Sequence, residues 1–177
     1  MSYITTVTGK HFDPTDPEER LIDVFDIAHA LSQICRANGH FSRFYSVAQH
    51  SLACAEEAEA RECPDAVVLG CLLHDASEAY LSDVTRPVKA LLPRYLETEE
   101  RLQNLIWEHF IWRPLTPGEK EAVFEIDDIM LSAEFHELMP EDIDSRYAEL
   151  VSEPDFTERP PAEVRDRFID FLDRYGR

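Results

Sequence analysis

The chain has 177 residues, of which 44% are hydrophobic and 10% aromatic, and a formal net charge of -19. This length and composition exclude a disordered chain and predict one domain, residues 1–177, with a buried core. The negative charge argues against a nucleic acid polymer as partner, because the surface repels a phosphate backbone. A small phosphorylated ligand remains compatible, since a metal ion and a few local arginine or lysine side chains can reverse the field inside a pocket.

Membrane and disulfide signals are missing from the sequence. No apolar stretch approaches the roughly 20 residues needed to cross a bilayer, and the first residues lack the basic and apolar regions of a signal peptide. The chain has four cysteines and no C-x-x-C pair: Cys35, Cys54, Cys63 and Cys71. We therefore expect a cytoplasmic protein with no membrane partner and no disulfide framework.

Helical patterns dominate the chain after residue 20. Before them, residues 3–8 alternate and are rich in Thr, Val and Ile, which predicts a small N-terminal β-ribbon with the residues immediately after them. The predicted helices cover residues 21–37, 46–61, 64–80, 94–110, 116–139 and 162–175, with a short helix from residue 87. Their limits follow from capping boxes at Ser46 and Thr116 and from a stop at Asn38-Gly39. The pattern indicates an all-α bundle of about six or seven helices.

Two histidines and two aspartates stand in these helical patterns. His74-Asp75 ends the apolar run 67–73, His50 lies on the helix after Ser46, and Asp127 lies inside the helix after Thr116. An ionised Asp is rarely buried without a partner, and three packed helices can direct these groups at one point. Mixed nitrogen and oxygen ligands suit one divalent ion, Mn²⁺, Co²⁺, Ni²⁺, Fe²⁺, Zn²⁺ or Mg²⁺, without choosing among them. Each residue alone more often has a structural role, as a core or surface histidine, a helix cap or an ion pair.

The order His50 … His74-Asp75 … Asp127 resembles the H…HD…D pattern of the HD-domain superfamily of metal-dependent phosphohydrolases. Segments 45–51 and 72–78 resemble the two histidine segments of that superfamily, and segment 83–89 resembles the stretch after the HD motif in the bacterial 5'-deoxynucleotidase branch. The resemblance covers roughly residues 10–140, with the motifs in about 20–140. It implies an HD-type helical bundle whose metal ligands are His50, His74, Asp75 and Asp127. It also favours Asp127 over Asp128, which points about 100° away on a helix.

The resemblance implies catalytic roles for two further carboxylates. Glu78 follows His74 by four positions and Asp75 by three, so the three side chains share one face if the helix continues. Glu78 would then move a proton during hydrolysis. Asp83, in the next loop, would contact a sugar hydroxyl or help to place the attacking water. A surface position for Glu78 and a loop cap for Asp83 are the structural alternatives.

Three more residues are candidates for binding the substrate. Arg43, seven residues before His50, could clamp a phosphate with paired hydrogen bonds, and Lys89 is a second candidate phosphate contact. A salt bridge on the acidic surface is the alternative for Arg43. In the deoxynucleotidase branch an arginine at this place precedes tryptophan, whereas Phe44 is the next residue here, so that branch's sugar and base preference does not transfer directly. His29 and His40 are open between a role at the site and a structural one.

The expected activity is that of a phosphoric ester hydrolase of nucleotide metabolism. The substrate would be a small phosphorylated nucleotide, with a nucleoside or deoxynucleoside 5'-monophosphate first, as for a 5'-nucleotidase. A dNTP triphosphohydrolase or an alarmone hydrolase would use the same site. A non-catalytic nucleotide or metal sensor is the alternative of another class. Trp107 and Trp112 are flanked by apolar residues, which favours a core or subunit contact over base stacking and allows a homodimer.

Overall fold

The structure is a computed structural model that describes residues 3–140 and 149–175. The elements are β1 (Ile4–Thr5), β2 (His11–Phe12), α1 (Val24–Gln33), α2 (Val47–Ala60), α3 (Asp65–Leu73), α4 (Glu78–Leu81), α5 (Arg86–Lys89), α6 (Pro93–Ile111), α7 (Pro117–Leu138) and α8 (Pro161–Tyr175). Six of these helices have nine residues or more, and β1 pairs antiparallel with β2. The prediction of an all-α domain with a small N-terminal ribbon is confirmed.

Capping residues define the starts of the two helices that flank the core. At α2, Ser46 Oγ accepts from the Gln49 amide while the Gln49 side chain accepts from the Ser46 amide, both at 3.2 Å. Thr116 and Glu119 form the same reciprocal pair at α7. Such pairs satisfy backbone donors that a helix start leaves open. The helices predicted from these two signals are confirmed to within one residue at each end.

The predicted helix over residues 21–37 is wrong in its extent. The Asp23 carboxylate accepts from the amides of Phe25 and Asp26, so α1 begins only at Val24. It ends at Gln33, and a 3-10 turn over Arg36–Gly39 comes next, in which Ala37 and Asn38 both have φ of 51°. This left-handed backbone turns the chain sharply. Arg36, just before these two residues, contacts Asp75 and Glu134 at the centre of the bundle.

The predicted continuous helix over residues 64–80 is also wrong. The helix α3 stops at Leu73, and α4 begins only at Glu78. In a continuous helix the Ser77 amide would donate to Leu73 O. Here the side-chain amide of Gln103 on α6 is inserted between these two groups. Its Nε2 donates to Leu73 O at 2.7 Å and its Oε1 accepts from the Ser77 amide at 3.0 Å. His74 and Asp75 therefore lie on a turn and Glu78 at the start of the next helix, so the three side chains do not share one continuous helix.

The core centres on α3, whose residues from Val67 to Leu73 are all buried. α2, α6 and α7 pack around it. Gly70 permits the close approach of α7, because a Cβ atom there would lie 2.7 Å from Val123 Cγ2 and 3.3 Å from Leu115 Cδ1. All four cysteines are free. Within residues 3–140 and 149–175, no helix combines the length and apolarity that a membrane crossing requires.

The two tryptophans have different environments. Trp107 is 3% exposed and belongs to the hydrophobic core, as predicted, and its Nε1 donates to Gly70 O at 3.2 Å. Trp112 ends α6 in a left-handed conformation and is 73% exposed. The homodimer suggested by its apolar surroundings stays a prediction.

Candidate metal centre

Two buried imidazoles face each other at the centre of the bundle. His50 Nδ1 lies 2.6 Å from Glu134 Oε1, and His74 Nδ1 lies 2.7 Å from Cys71 O. Both acceptors require a proton on Nδ1, which leaves the two Nε2 atoms with lone pairs when the rings are neutral. These Nε2 atoms are 3.1 Å apart. Two lone pairs at that distance repel each other unless a proton or a cation lies between them.

Two carboxylates complete the polar centre. Asp127 Oδ1 lies 3.0 Å from His50 Nε2, and Asp75 Oδ2 lies 3.3 Å from His74 Nε2. Ligands held at about 2.0–2.1 Å by one ion lie about 2.9 Å apart at a right angle and about 3.3 Å apart at a tetrahedral angle. The observed separations fall in or near this range. The adjacent Asp128 is instead 63% exposed and pairs with Arg86 at 2.8 Å.

The electrostatics of the centre favour positive charge. Burial opposes protonation of His74, but the carboxylates of Asp75 and Asp127 outweigh it and raise its pKa well above the usual range. Burial likewise opposes the ionised form of Asp127, yet hydrogen bonds to His50 and His74 hold its pKa well below the usual range. A cation is therefore stabilised between these side chains, whether it is a proton or a metal ion.

The buried cluster of His50, Cys54, His74 and Asp127 could bind a metal ion, because one donor atom from each lies within 4.8 Å of all the others. Cys54 differs from the other three in geometry. Its Sγ lies 3.6 Å from His50 Nε2 and 3.9 Å from His50 Nδ1, so the sulfur lies beside the ring. A sulfur bound to the same ion as Nε2 would lie in front of that nitrogen and much farther from Nδ1. We infer that Cys54 packs against the imidazole.

Arg36 and Glu134 take part in the site, although neither was given a role from the sequence. The Arg36 guanidinium, 11% exposed, lies 3.1 Å from Asp75 Oδ2 and 3.4 Å from Glu134 Oε2. Glu134 follows Asp127 by two helical turns on α7, a spacing that could have indicated a shared face. Asn38-Gly39 predicted the stop of the helical pattern, but no local signal indicated that Arg36, just before it, would contact Asp75 and Glu134.

Glu78 lies beside the centre with one oxygen unpaired. Its Oε1 accepts from Lys89 Nζ at 3.2 Å, while its buried Oε2 finds no hydrogen-bond partner among the described residues. Burial, reinforced by the carboxylates of Asp75 and Asp83, raises the pKa of Glu78 well above the usual range, although Lys89 opposes the shift. This carboxyl group therefore retains a proton to higher pH than an ordinary glutamate.

A cavity of about 740 Å³ opens beside the centre. Asp75, Glu78 and Asp83 line the end that contains the polar cluster, together with Arg86 and Lys89. Arg86 Nη2 lies 3.0 Å from Asp127 Oδ2 while its side chain is 65% exposed. Lys89 Nζ also pairs with Glu99 at 2.6 Å. Two cationic side chains thus border the open space next to the metal centre.

The remaining sequence candidates lie elsewhere. Arg43 is half-buried and faces Glu137 at 3.6 Å, and neither Arg43 nor Phe44 lines the cavity. His29 stacks with Phe25 on α1, and His40 is exposed after the 3-10 turn. Neither histidine belongs to the metal cluster. The structure thus brings together the four predicted ligands, Glu78, Asp83 and Lys89, but does not bring Arg43 and Phe44 to them.

Comparison with known proteins places the chain among bacterial relatives. No protein-family model matches it. It is 41% identical over 140 residues to an uncharacterized protein of Escherichia coli K12, YfdR, over 78% of this chain and 73% of that protein. The chain belongs to the YfdR family. A second relative, the uncharacterized protein RCAP_rcc00048 of Rhodobacter capsulatus, is 32% identical over 177 residues, covering 92% of this chain and 89% of its own length.

Proposed function

We propose that this protein is an HD-type metal-dependent phosphohydrolase that releases phosphate from a small nucleotide, with a nucleoside or deoxynucleoside 5'-monophosphate as the first candidate. The observation that carries the proposal is the 3.1 Å approach of His50 Nε2 to His74 Nε2, with both Nδ1 atoms fixed by acceptors. Histidine ligands of metal ions are typically oriented in this way by a second hydrogen bond. Asp75 and Asp127 supply the carboxylates of the H…HD…D order.

The residues present fit a divalent ion of mixed nitrogen and oxygen preference. His50, His74, Asp75 and Asp127 would hold it, and Glu134 and Cys71 O would orient the two rings. Such an ion supplies a Lewis acid for a phosphoryl oxygen and lowers the pKa of water. Arg36 limits the negative charge of the site, because it lies between Asp75 and Glu134.

The cavity supports a phosphate ester as the ligand. The chain as a whole carries a charge of -19, yet Arg86 and Lys89 border the cavity next to the cluster. Their present partners are carboxylates, Asp127 and Asp128 for Arg86 and Glu78 and Glu99 for Lys89. An incoming phosphate offers the exposed Arg86 a bidentate acceptor in place of these contacts. In this proposal Arg86 takes the phosphate-binding role that the sequence suggested for Arg43.

Proton transfer is the proposed role of Glu78. Its raised pKa favours the protonated form to higher pH than in an ordinary glutamate, and in that form the unpaired Oε2 would donate to the oxygen that leaves phosphorus. Lys89 would assist the loss of this proton, because its Nζ lies 3.2 Å from Glu78 Oε1 and stabilises the resulting carboxylate. Asp83 also lines the cavity and in this proposal would contact a sugar hydroxyl or water.

The test is phosphate release by the metal-stripped protein, supplied with Mn²⁺, Co²⁺, Ni²⁺, Fe²⁺, Zn²⁺ or Mg²⁺ in turn. The substrates are deoxy- and ribonucleoside mono- and triphosphates, and chromatography separates orthophosphate from tripolyphosphate. Asp127→Asn should abolish metal-restored release, whereas the matched variant Asp128→Asn should retain it, since Asp128 lies on the surface. Metal bound with no release from any substrate would contradict the proposal and favour a sensor.

A further inference from the structure

The chain segment between α4 and α6 has no anchor in the hydrophobic core. Residues 82–92 include α5, and six of them line one wall of the cavity. Between residues 81 and 101, all of which the structure describes, no residue is buried. Three apolar side chains face solvent instead, since Val88, Leu91 and Leu92 are 46%, 77% and 41% exposed. A segment with so few buried apolar contacts opens more easily than the core helices do.

Ser82, at the start of this segment, has a strained backbone. Its φ of 73° and ψ of 153° fall in a region that is essentially restricted to glycine. Two hydrogen bonds hold this conformation: the Ser82 amide donates to Glu78 O at 2.8 Å, and Ser82 O accepts from Tyr95 Oη at 2.8 Å. Strained residues persist only where surrounding contacts maintain them. Loss of the Tyr95 contact would therefore favour rotation of the chain at Ser82.

Ion pairs attach the segment to three helices around the cavity. Arg86 binds carboxylates of α7, and Lys89 binds carboxylates of α4 and α6. The Arg86 side chain is 65% exposed, so water and salt compete with its contacts. Ion pairs at a surface hold a segment in place less firmly than packed apolar side chains do. The four distances are 3.0 Å to Asp127 and 2.8 Å to Asp128 for Arg86, and 3.2 Å to Glu78 and 2.6 Å to Glu99 for Lys89.

We propose that residues 82–92 form a lid that rotates at Ser82 and controls access to the cavity. Opening would break the ion pairs of the segment and release the strained backbone. Because His74 and Asp127 line the same cavity, a metal ion would reach them past the lid. This inference goes beyond the proposed function, since it applies to any ion or small molecule that enters the cavity.

The test measures how fast Co²⁺ enters and leaves the metal-stripped protein, by stopped-flow absorbance with and without a chelator. Tyr95→Phe removes the hydrogen bond to Ser82 O but keeps the ring and the charge, and Tyr95 lies outside the cavity lining. A lid that opens more often lets the ion pass faster in both directions. Both rate constants should therefore rise about 2- to 10-fold while Kd stays within about twofold. The matched control is Tyr175→Phe, which removes a hydrogen bond to Glu59 outside the cavity and should change neither rate constant.

Unchanged rate constants in Tyr95→Phe would overturn the lid, and so would a change in Kd without a rise in both rate constants. The second result would show that the Tyr95 hydroxyl acts on the metal centre itself and not on access to it. Absence of bound Co²⁺ would contradict the proposed function, and proteolysis of the native protein then decides on the lid alone.

Trypsin can cut residues 82–92 only after Lys89, because Pro87 follows the other basic residue, Arg86. Under native conditions the cleavage rate follows the population of the open segment. Cleavage after Lys89 should therefore be about 2- to 10-fold faster in Tyr95→Phe than in the wild-type protein. The same cleavage rate in both proteins would overturn the inference.

Discussion

Replacing Gln103 by leucine tests whether its amide builds the turn that carries His74 and Asp75. The substitution places an apolar side chain of similar size at the same buried position but removes the donor to Leu73 O and the acceptor for the Ser77 amide. A buried backbone group that loses its partner costs about 1–3 kcal/mol, so two such groups give about 2–6 kcal/mol. We expect a loss of this size in the free energy of unfolding by urea, together with weaker metal binding.

Gln103→Glu is the matched control for that prediction. A carboxylate at this position can still accept from the Ser77 amide but, when ionised, cannot donate to Leu73 O. Its stability should therefore lie below that of the wild type. Chelator competition on each folded variant measures the effect on the metal centre separately. The reasoning would be refuted by a Gln103→Leu protein that unfolds within about 0.5 kcal/mol of the wild type and binds the ion equally well.

Three further outcomes are expected. Cys54→Ala should retain the bound ion and His50→Ala should lose it, as measured by elemental analysis after dialysis; loss of the ion from Cys54→Ala would show that the thiol is a ligand. Glu134→Gln should lower metal affinity about 10- to 100-fold in chelator competition, because the orienting carboxylate is gone, and unchanged affinity would contradict that role. Burial raises the pKa of Glu57, but hydrogen bonds from Ser152, the Val151 amide and Arg61 outweigh it and lower the value from 4.5. The ionised Glu57 therefore stabilises the fold fully at pH values above its pKa in the unfolded chain, and this contribution is lost as the pH falls through its lowered pKa in the folded protein. Glu57→Gln should consequently reduce the acid-side loss of the free energy of unfolding, measured with urea between about pH 3 and 7. Parallel curves for the two proteins would argue against this.

The helix limits were predictable wherever they depend on residues that are close in sequence. The capping boxes at Ser46 and Thr116 use atoms only three residues apart, so the sequence contains the whole signal. The break after Leu73 depends on Gln103, a residue on another helix, and no local pattern contains that information. The same holds for the end of α1, where the Cys35–Ser46 bridge ties the left-handed turn to the start of α2.

In the candidate site, too, some residues were predictable from local sequence and others were not. His50, His74 and Asp127 were predicted to converge because each stands in a segment with a helical pattern, and three packed helices can direct such groups at one point. Arg43 was chosen for its short distance in sequence from His50, but that distance does not fix direction, and the side chain faces Glu137. Arg36 reaches the centre through a turn whose positive φ angles depend on tertiary contacts. Residue type and spacing therefore indicated the members of the candidate metal cluster better than the charged groups around them.

The lack of a side chain at Gly70 sets the distance between α3 and α7, and with it the spacing of His74 and Asp127 in the candidate metal centre. Gly70 precedes His74 by one helical turn on α3, and its neighbour Val123 precedes Asp127 by one turn on α7. A methyl group at residue 70 would meet Val123 at 2.7 Å and push the two helices apart. The imidazole and the carboxylate would separate with them, and the ionic radius that fits between them would increase. A residue that cannot touch an ion would thus help to determine which ion this cluster could hold.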